Sequence, residues 1–169
     1  MRCLHFLGAE PSAPQEQTDL YFNHPSRDFE QTDEALRLRS VATGHIVTYK
    51  GPIVDSQTKT RREIEVLLEG GDANDRFAEI LKLLGFRPVR RVRKRRQAYL
   101  CTWQARRFEI ALDEVAELGR FVEIETQTDE AERAAAVEAI LSFASQFQLG
   151  NPERRSYLCL LLEADRKKL

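Results

Sequence analysis

The chain has 169 residues, 42% of them hydrophobic and 31% charged, with 26 Lys and Arg against 27 Asp and Glu. That length supports one domain with a sizeable core, expected over 1–169, and the balanced charge argues against a nucleic-acid partner. Three widely spaced cysteines, Cys3, Cys101 and Cys159, form no Cys-x-x-Cys pair. A disulfide scaffold or zinc ribbon is therefore not expected, and a reducing compartment is. The first residues are too short and polar for a signal peptide, and no apolar run approaches the ~20 residues that span a bilayer. The expected location is cytoplasmic, with no membrane partner.

Residues 1–7 read as the end of a helix with Gly8 as its stop, followed by a polar loop. Asp19 to Phe22 is a short strand, and Asn23 to Thr32 a polar, turn-rich connection. In Ala35 to Val41, Arg37 and Arg39 share one face and Leu36 and Leu38 the other. In Ile46 to Lys50, Thr48 and Lys50 oppose Val47 and Tyr49, and Gly51-Pro52 ends the run. In Arg61 to Leu68, Arg61, Glu63 and Glu65 oppose Ile64, Val66 and Leu68.

Gly70-Gly71 then breaks the pattern, and Asp72 or Asn74 is the expected cap of a helix through Phe77, Ile80, Leu81 and Leu84, stopped by Gly85. In Val92 to Trp103, Lys94 and Arg96 lie on one face and Tyr99, Cys101 and Trp103 on the other. In Arg107 to Asp113, Arg107, Glu109 and Asp113 oppose Phe108, Ile110 and Leu112. Phe121 to Glu125 is a further strand. Asp129 to Phe147 is a second helix, with Val137, Ile140, Leu141, Ala144 and Phe147 apolar and Gly150 as its stop. Ser156 caps a last short helix.

Five of these strands pair an apolar face with a face rich in Arg, Lys, Glu and Asp. Two of them repeat Glu-Ile-Glu, at 63–65 and at 123–125, which puts like charges on one face unless something cationic intervenes. Alternation alone describes a sheet with one solvated face. These faces are Arg- and Glu-rich instead of mixed Thr, Ser, Gln and Lys, and a sheet closed into a barrel would hold them inside. Carboxylates there would bind Mg²⁺ or Mn²⁺ through hard oxygens, and Arg and Lys would clamp phosphates. No phosphate loop or dinucleotide fingerprint is present. His5, His24 and His45 sit in terminal or loop positions and are read as surface residues. Seven basic side chains fall within residues 87–96. A strand with Arg on both faces accounts for them more simply than a nucleic-acid patch does.

The ordered blocks Gln17-x-Asp19-x-Tyr21-Phe22, Ala35-Leu36-Arg37-x-Arg39, Thr48-Tyr49-Lys50-Gly51-Pro52, Arg61-x-Glu63-x-Glu65, Lys94-x-Arg96-x-x-Tyr99 and Gly119-x-Phe121-Val122-Glu123-Ile124-Glu125 resemble the CYTH superfamily. In particular they resemble its CyaB-type class IV adenylyl cyclases and thiamine-triphosphatase relatives, over almost the whole chain. The resemblance implies an α+β fold, an antiparallel β-barrel tunnel with helices packed outside. It implies a triphosphate held by Arg37, Arg39, Lys50, Arg61, Lys94 and Arg96. It places Mg²⁺ or Mn²⁺ on Glu63, Glu65, Glu123 and Glu125, and catalytic roles on Arg61, Glu63 and Asp113. A turn role before Val115 is the alternative for Asp113, and packing is the alternative for Tyr157.

The implied reaction is ATP to cyclic AMP and pyrophosphate. The alternatives are a triphosphatase acting on thiamine triphosphate or tripolyphosphate, or a non-catalytic binding module. The family's first strand, Glu-x-Glu-x-Lys, has no counterpart between Met1 and Glu10. Either the true start lies upstream, or the strand is missing and the barrel has an unpaired edge. In the second case part of the site is gone, and homodimerisation through that edge is an expectation.

Overall fold

The structure is a computed structural model that describes residues 8–55, 57–150 and 152–168. The helix end expected over 1–7, with Cys3 and His5, lies outside the described residues. The strands are β1 (Glu10–Pro11), β2 (Gln15–Asn23), β3 (Ala35–Val41), β4 (Gly44–Lys50), β5 (Glu63–Leu68), β6 (Arg87–Trp103), β7 (Arg106–Val115) and β8 (Gly119–Glu125). The helices are α1 (Phe29–Thr32), α2 (Ala73–Leu83), α3 (Arg133–Gln146) and α4 (Tyr157–Arg166). They form one antiparallel sheet in the order β5-β4-β3-β2-β6-β7-β8, with β1 paired to the far end of β6. The α+β, CYTH-like architecture expected from the sequence is the one observed. Its two end strands, β5 and β8, do not pair with each other.

The sheet nevertheless curls. Lys50 of β4 acts electrostatically on Glu125 of β8, although β3, β2, β6 and β7 lie between them. Strand register fixes what the curl encloses. Asp19 lies opposite Arg39, Arg37 opposite Thr48, Thr48 opposite Glu65, Arg96 opposite Asp113, and Glu109 opposite Glu125. Residues directly opposite one another share a face, so the ionisable rows all fall on the concave side. Arg91, Arg93 and Arg95 of β6 point the other way and are exposed, as a strand with Arg on both faces requires.

The convex side carries two apolar clusters. Under α2, Phe22 and Leu38 pack with Ala78 and Leu81, flanked by Leu20, Leu36, Val47 and Phe77. Ile80 and Leu84, expected on this buried stripe, are half exposed or more, because the helix turns Ala78 and Leu81 to the sheet. α2 ends where Gly85 adopts a φ of 88° and its N–H bonds to the Lys82 carbonyl at 2.9 Å. A Cβ there would meet Pro25 at 3.2 Å, so glycine serves both the helix stop and the close approach. Asp72 occupies the N-cap position of α2 without a side-chain bond. Under α3, Cys101, Phe108, Ile110 and Phe143 form the second cluster, with Trp103, Ile124 and Ile140 at its margin.

α4 departs from the expectation that helices lie outside. Its Leu161 packs with Tyr21, Val92 and Val115, which share strand faces with Asp19, Lys94 and Asp113. The helix therefore covers one end of the concave side. Ser156 caps it by accepting from the Cys159 N–H at 3.1 Å, as the sequence predicts. Two short elements were not anticipated: β1, and α1, which is capped by Asp28 in the stretch read as turns. No helix among the described residues is long and apolar enough to cross a membrane.

Leu161 is 1% exposed, and Leu161→Ala should lower the unfolding free energy by about 2–5 kcal/mol. Urea titration followed by circular dichroism checks this.

Candidate active site

Most of the charged residues singled out in the sequence line one open concavity. A smaller cavity of about 210 Å³ lies on the convex side between α2 and the sheet and holds none of the inward carboxylates.

Two buried aspartates organise the concave face. Asp19 of β2 receives Arg39 in bidentate fashion, Nε to Oδ1 at 2.7 Å and Nη2 to Oδ2 at 2.8 Å, with Arg37 Nη1 at 3.7 Å from Oδ2. Burial pushes the Asp19 carboxyl up, but the bond from Arg39 and the charge of Arg37 outweigh it, and the carboxyl lies below its ordinary range. Arg37 extends across the strands. Its Nη2 donates to Thr48 Oγ1 at 2.8 Å and to Glu65 Oε1 at 3.2 Å, and the Thr48 hydroxyl donates to Glu65 at 2.9 Å.

Asp113 of β7 forms the second clamp. It is 2% exposed and lies inside a strand, which rules out the turn role considered for it. Lys94 Nζ donates to it at 2.8 Å, Arg96 donates through Nε and Nη2 at 2.8 and 2.7 Å, and the Tyr157 hydroxyl donates at 3.0 Å. Burial raises its carboxyl, but Arg96 and Lys94 bring it below the ordinary value. Burial, with Glu123 and Asp113 nearby, pushes the Tyr157 hydroxyl well up, so it stays a neutral donor. Packing does not exhaust the role of Tyr157. Arg96 also reaches Glu123 of β8 and lies 3.9 Å from Glu109.

A third group sits on β4 and β5. Lys50 Nζ lies 2.7 Å from both oxygens of Glu63. Arg61 Nε is 3.6 Å from Glu63, and Arg61 Nη1 donates to the Asp33 carbonyl at 3.2 Å. Burial, then Arg37, lowers the Lys50 ammonium. Burial likewise lowers Lys94 despite the attraction of Glu123 and Asp113.

The two Glu-Ile-Glu strands are thus the two ends of the sheet, facing inward. Burial raises Glu123, but Lys94 and Arg96 pull it below its usual range. Glu125 moves the opposite way, raised by burial and then by the Glu123 charge beside it. Glu125 makes no salt bridge among the described residues, so its carboxylate lacks a close neutralising partner. No group of three or more His, Cys, Asp or Glu side chains among the described residues is gathered as a metal cage. The donor set still fits a divalent ion, since Mg²⁺ commonly takes one or two carboxylates and completes its shell with waters and substrate phosphates. Glu125, without a salt bridge among the described residues, and Glu123, which Arg96 also holds, could supply such a pair. Glu63 and Glu65 are engaged by Lys50 and by Arg37 and Thr48.

Sequence reasoning did not assign Asp19, Thr48 or Lys59 to the site. Extending the second strand back to Gln15 would have placed Gln17, Asp19 and Tyr21 on one face and exposed the first of these. His24 contacts Phe29 and Phe86, and His45 lies 3.2 Å from Ser40; neither lines the concavity.

A curled antiparallel sheet with cationic and carboxylate rows on its inner face and helices packed against it defines the α+β architecture, and comparison gives the family. The CYTH domain model matches residues 2–157, and the chain belongs to the CYTH family. A Methanocaldococcus jannaschii protein, named provisionally as an adenylate cyclase, is 39% identical over 145 residues, covering 84% of this chain and 79% of that one. The PH1819 protein of Pyrococcus horikoshii is 39% identical and superposes with a TM-score of 0.84, covering 96% of this chain and 92% of that one. PH1012 from the same organism is 27% identical with a TM-score of 0.74, covering 93% and 88%.

The depressed carboxyls of Asp19 and Asp113 fix the sign of the acid response. Their stabilisation is present above the unfolded value of about 3.9 and is lost as pH falls through their lower folded values. Asp113→Asn leaves buried Lys94 and Arg96 with Glu123 as their remaining close carboxylate and should lower stability at neutral pH by roughly 3 kcal/mol. It should also flatten the decline below about pH 5, as read by denaturant titrations across pH.

Proposed function

We propose that the chain binds a triphosphate together with Mg²⁺ or Mn²⁺ and converts ATP to cyclic AMP and pyrophosphate. The observation that carries this reading is the convergence of Arg37, Arg39, Lys50, Arg61, Lys94 and Arg96 on one concavity. Among the described residues, Arg37 Nε is buried without a hydrogen-bond partner, and Arg61 Nε has only the Glu63 carboxylate at 3.6 Å. Buried donors of that kind call for an acceptor, and phosphate oxygens are the acceptors that guanidinium groups match best. CYTH proteins bind triphosphates and generally use divalent metal ions.

Each residue has a task in that reading. Asp19 fixes the plane of the Arg39 guanidinium, and Asp113 fixes Arg96, so both forks are held before a ligand arrives. The arginines and lysines then orient the phosphates in line and neutralise charge that grows on the leaving pyrophosphate as the ribose 3′-hydroxyl attacks the α-phosphate. Asp113 is saturated by three donors, which suits it to positioning. Arg61 and Glu63 stand at the mouth of the β5 edge, within reach of a bound phosphate chain. Glu123 and Glu125 would hold the metal ion, which supplies Lewis-acid polarisation of phosphate oxygens when bound.

A triphosphatase reading uses the same residues, with water attacking the terminal phosphate. It is favoured by the make-up of the clamps, whose guanidinium, ammonium and carboxylate groups recognise phosphates and metal instead of a base. Incubating the protein with ATP, thiamine triphosphate or tripolyphosphate and Mg²⁺ or Mn²⁺ separates the readings. Cyclic AMP supports the cyclase, orthophosphate the triphosphatase, and calorimetric binding without turnover a non-catalytic module. Arg96→Ala should lower kcat by about 10²–10³. Glu125→Ala should abolish metal-dependent turnover while retaining the fold, and chelation of the metal should do the same reversibly.

A further inference from the structure

Lys59 belongs to the loop between β4 and β5, which the sequence offered as a connection only. The loop is built. Gly51 N–H bonds to the Arg62 carbonyl and Val54 N–H to the Thr60 carbonyl, both at 2.9 Å. Near its tip, Asp55 Oδ1 accepts from the N–H groups of Gln57 and Thr58 at 2.8 and 2.7 Å. The loop is tied to the segment leading into α4 at two points. Arg154 Nη2 donates to the Asp55 carbonyl at 3.0 Å, and Lys59 Nζ donates to the Arg155 carbonyl at 2.9 Å. Lys59 lines the same concavity as the clamps. Its ammonium feels the charges of Glu123, Glu153 and Glu125, with Arg61 opposing, and burial lowers its proton affinity. It lies just before β5 and is held to the segment that leads into α4.

Its bonding differs from that of the other lysines there. Lys50 and Lys94 each hold a carboxylate at ion-pair distance. Lys59 makes no salt bridge among the described residues, and its ammonium donates to a neutral carbonyl, that of Arg155. An incoming phosphate oxygen would have to displace a carboxylate from Lys50 or Lys94, but only a peptide oxygen from Lys59. A charge-assisted bond to phosphate is the stronger of the two.

We propose that Lys59 is a phosphate-binding residue that exchanges the Arg155 carbonyl for a phosphate of the bound triphosphate. This rests on the triphosphate reading above.

The test is calorimetric titration of the full chain with tripolyphosphate and Mg²⁺, comparing wild type with Lys59→Met, Lys59→Arg and Arg154→Ala. Lys59→Met keeps the aliphatic stem and should weaken binding about tenfold or more, the weight of one charged hydrogen bond. Lys59→Arg should restore most of that affinity. Arg154→Ala, which cuts the other tie of the loop, should bind as wild type does. If wild type binds no tripolyphosphate, the triphosphate reading fails and the inference falls with it. If wild type binds and Lys59→Met binds within twofold of it, or Arg154→Ala loses as much as Lys59→Met, only the role of Lys59 is overturned.

Discussion

Asp19 and Asp113 let seven strands hold a row of like-charged guanidinium and ammonium groups on a concave surface. A buried carboxylate beside each cluster offsets the cost of taking those cations out of water. The two strand registers, Asp19 opposite Arg39 and Arg96 opposite Asp113, make each compensation local. Asp19 and Asp113 each lie one strand from the arginine that grips them. Long-range attraction alone would be too weak and too dependent on salt to hold such a face together.

This arrangement also gives the empty site a definite state. Arg39 and Arg96 are gripped through both arms of the fork, which costs side-chain freedom once, during folding, instead of at each binding event. The outer carboxylates, Glu63 and Glu65, have side chains 38% and 52% exposed, so they hold their cations beside solvent. The concave face is therefore graded. Rigid, fully compensated pairs lie deep, and exchangeable pairs lie toward the β5 edge. The β8 edge differs again, because there the surplus is negative: Glu125 is crowded by Glu123 and takes no donor of its own.

Much of this could be read from the chain. Alternation at Arg37 and Arg39, at Lys94 and Arg96, and at both Glu-Ile-Glu runs assigned those side chains to one face, because a strand has only two faces to offer. Which face curls inward is a property of the whole sheet, and for that the ordered family resemblance was needed. Asp19 stayed hidden because the strand was read from Asp19 to Phe22, too short to reveal a buried polar row. Lys59 lacks any periodic context, since loop position depends on long-range ties such as those to Arg154 and Arg155. Ile80 and Leu84 were misplaced because apolar spacing fixes a stripe, while the sheet decides which edge of the stripe it meets. The last helix is marked by its Ser156 cap, yet nothing local tells that Leu161 enters the concavity.

That placement of α4 has a consequence for how the site comes into being. Asp113 and its cations are all present once β7 has been synthesised, but Leu161 and the Tyr157 hydroxyl arrive only with the last described helix. Without α4 the inner face is open at one end and Asp113 lacks one donor. The electrostatic environment of Asp113 is thus completed by a residue 44 positions further along the chain.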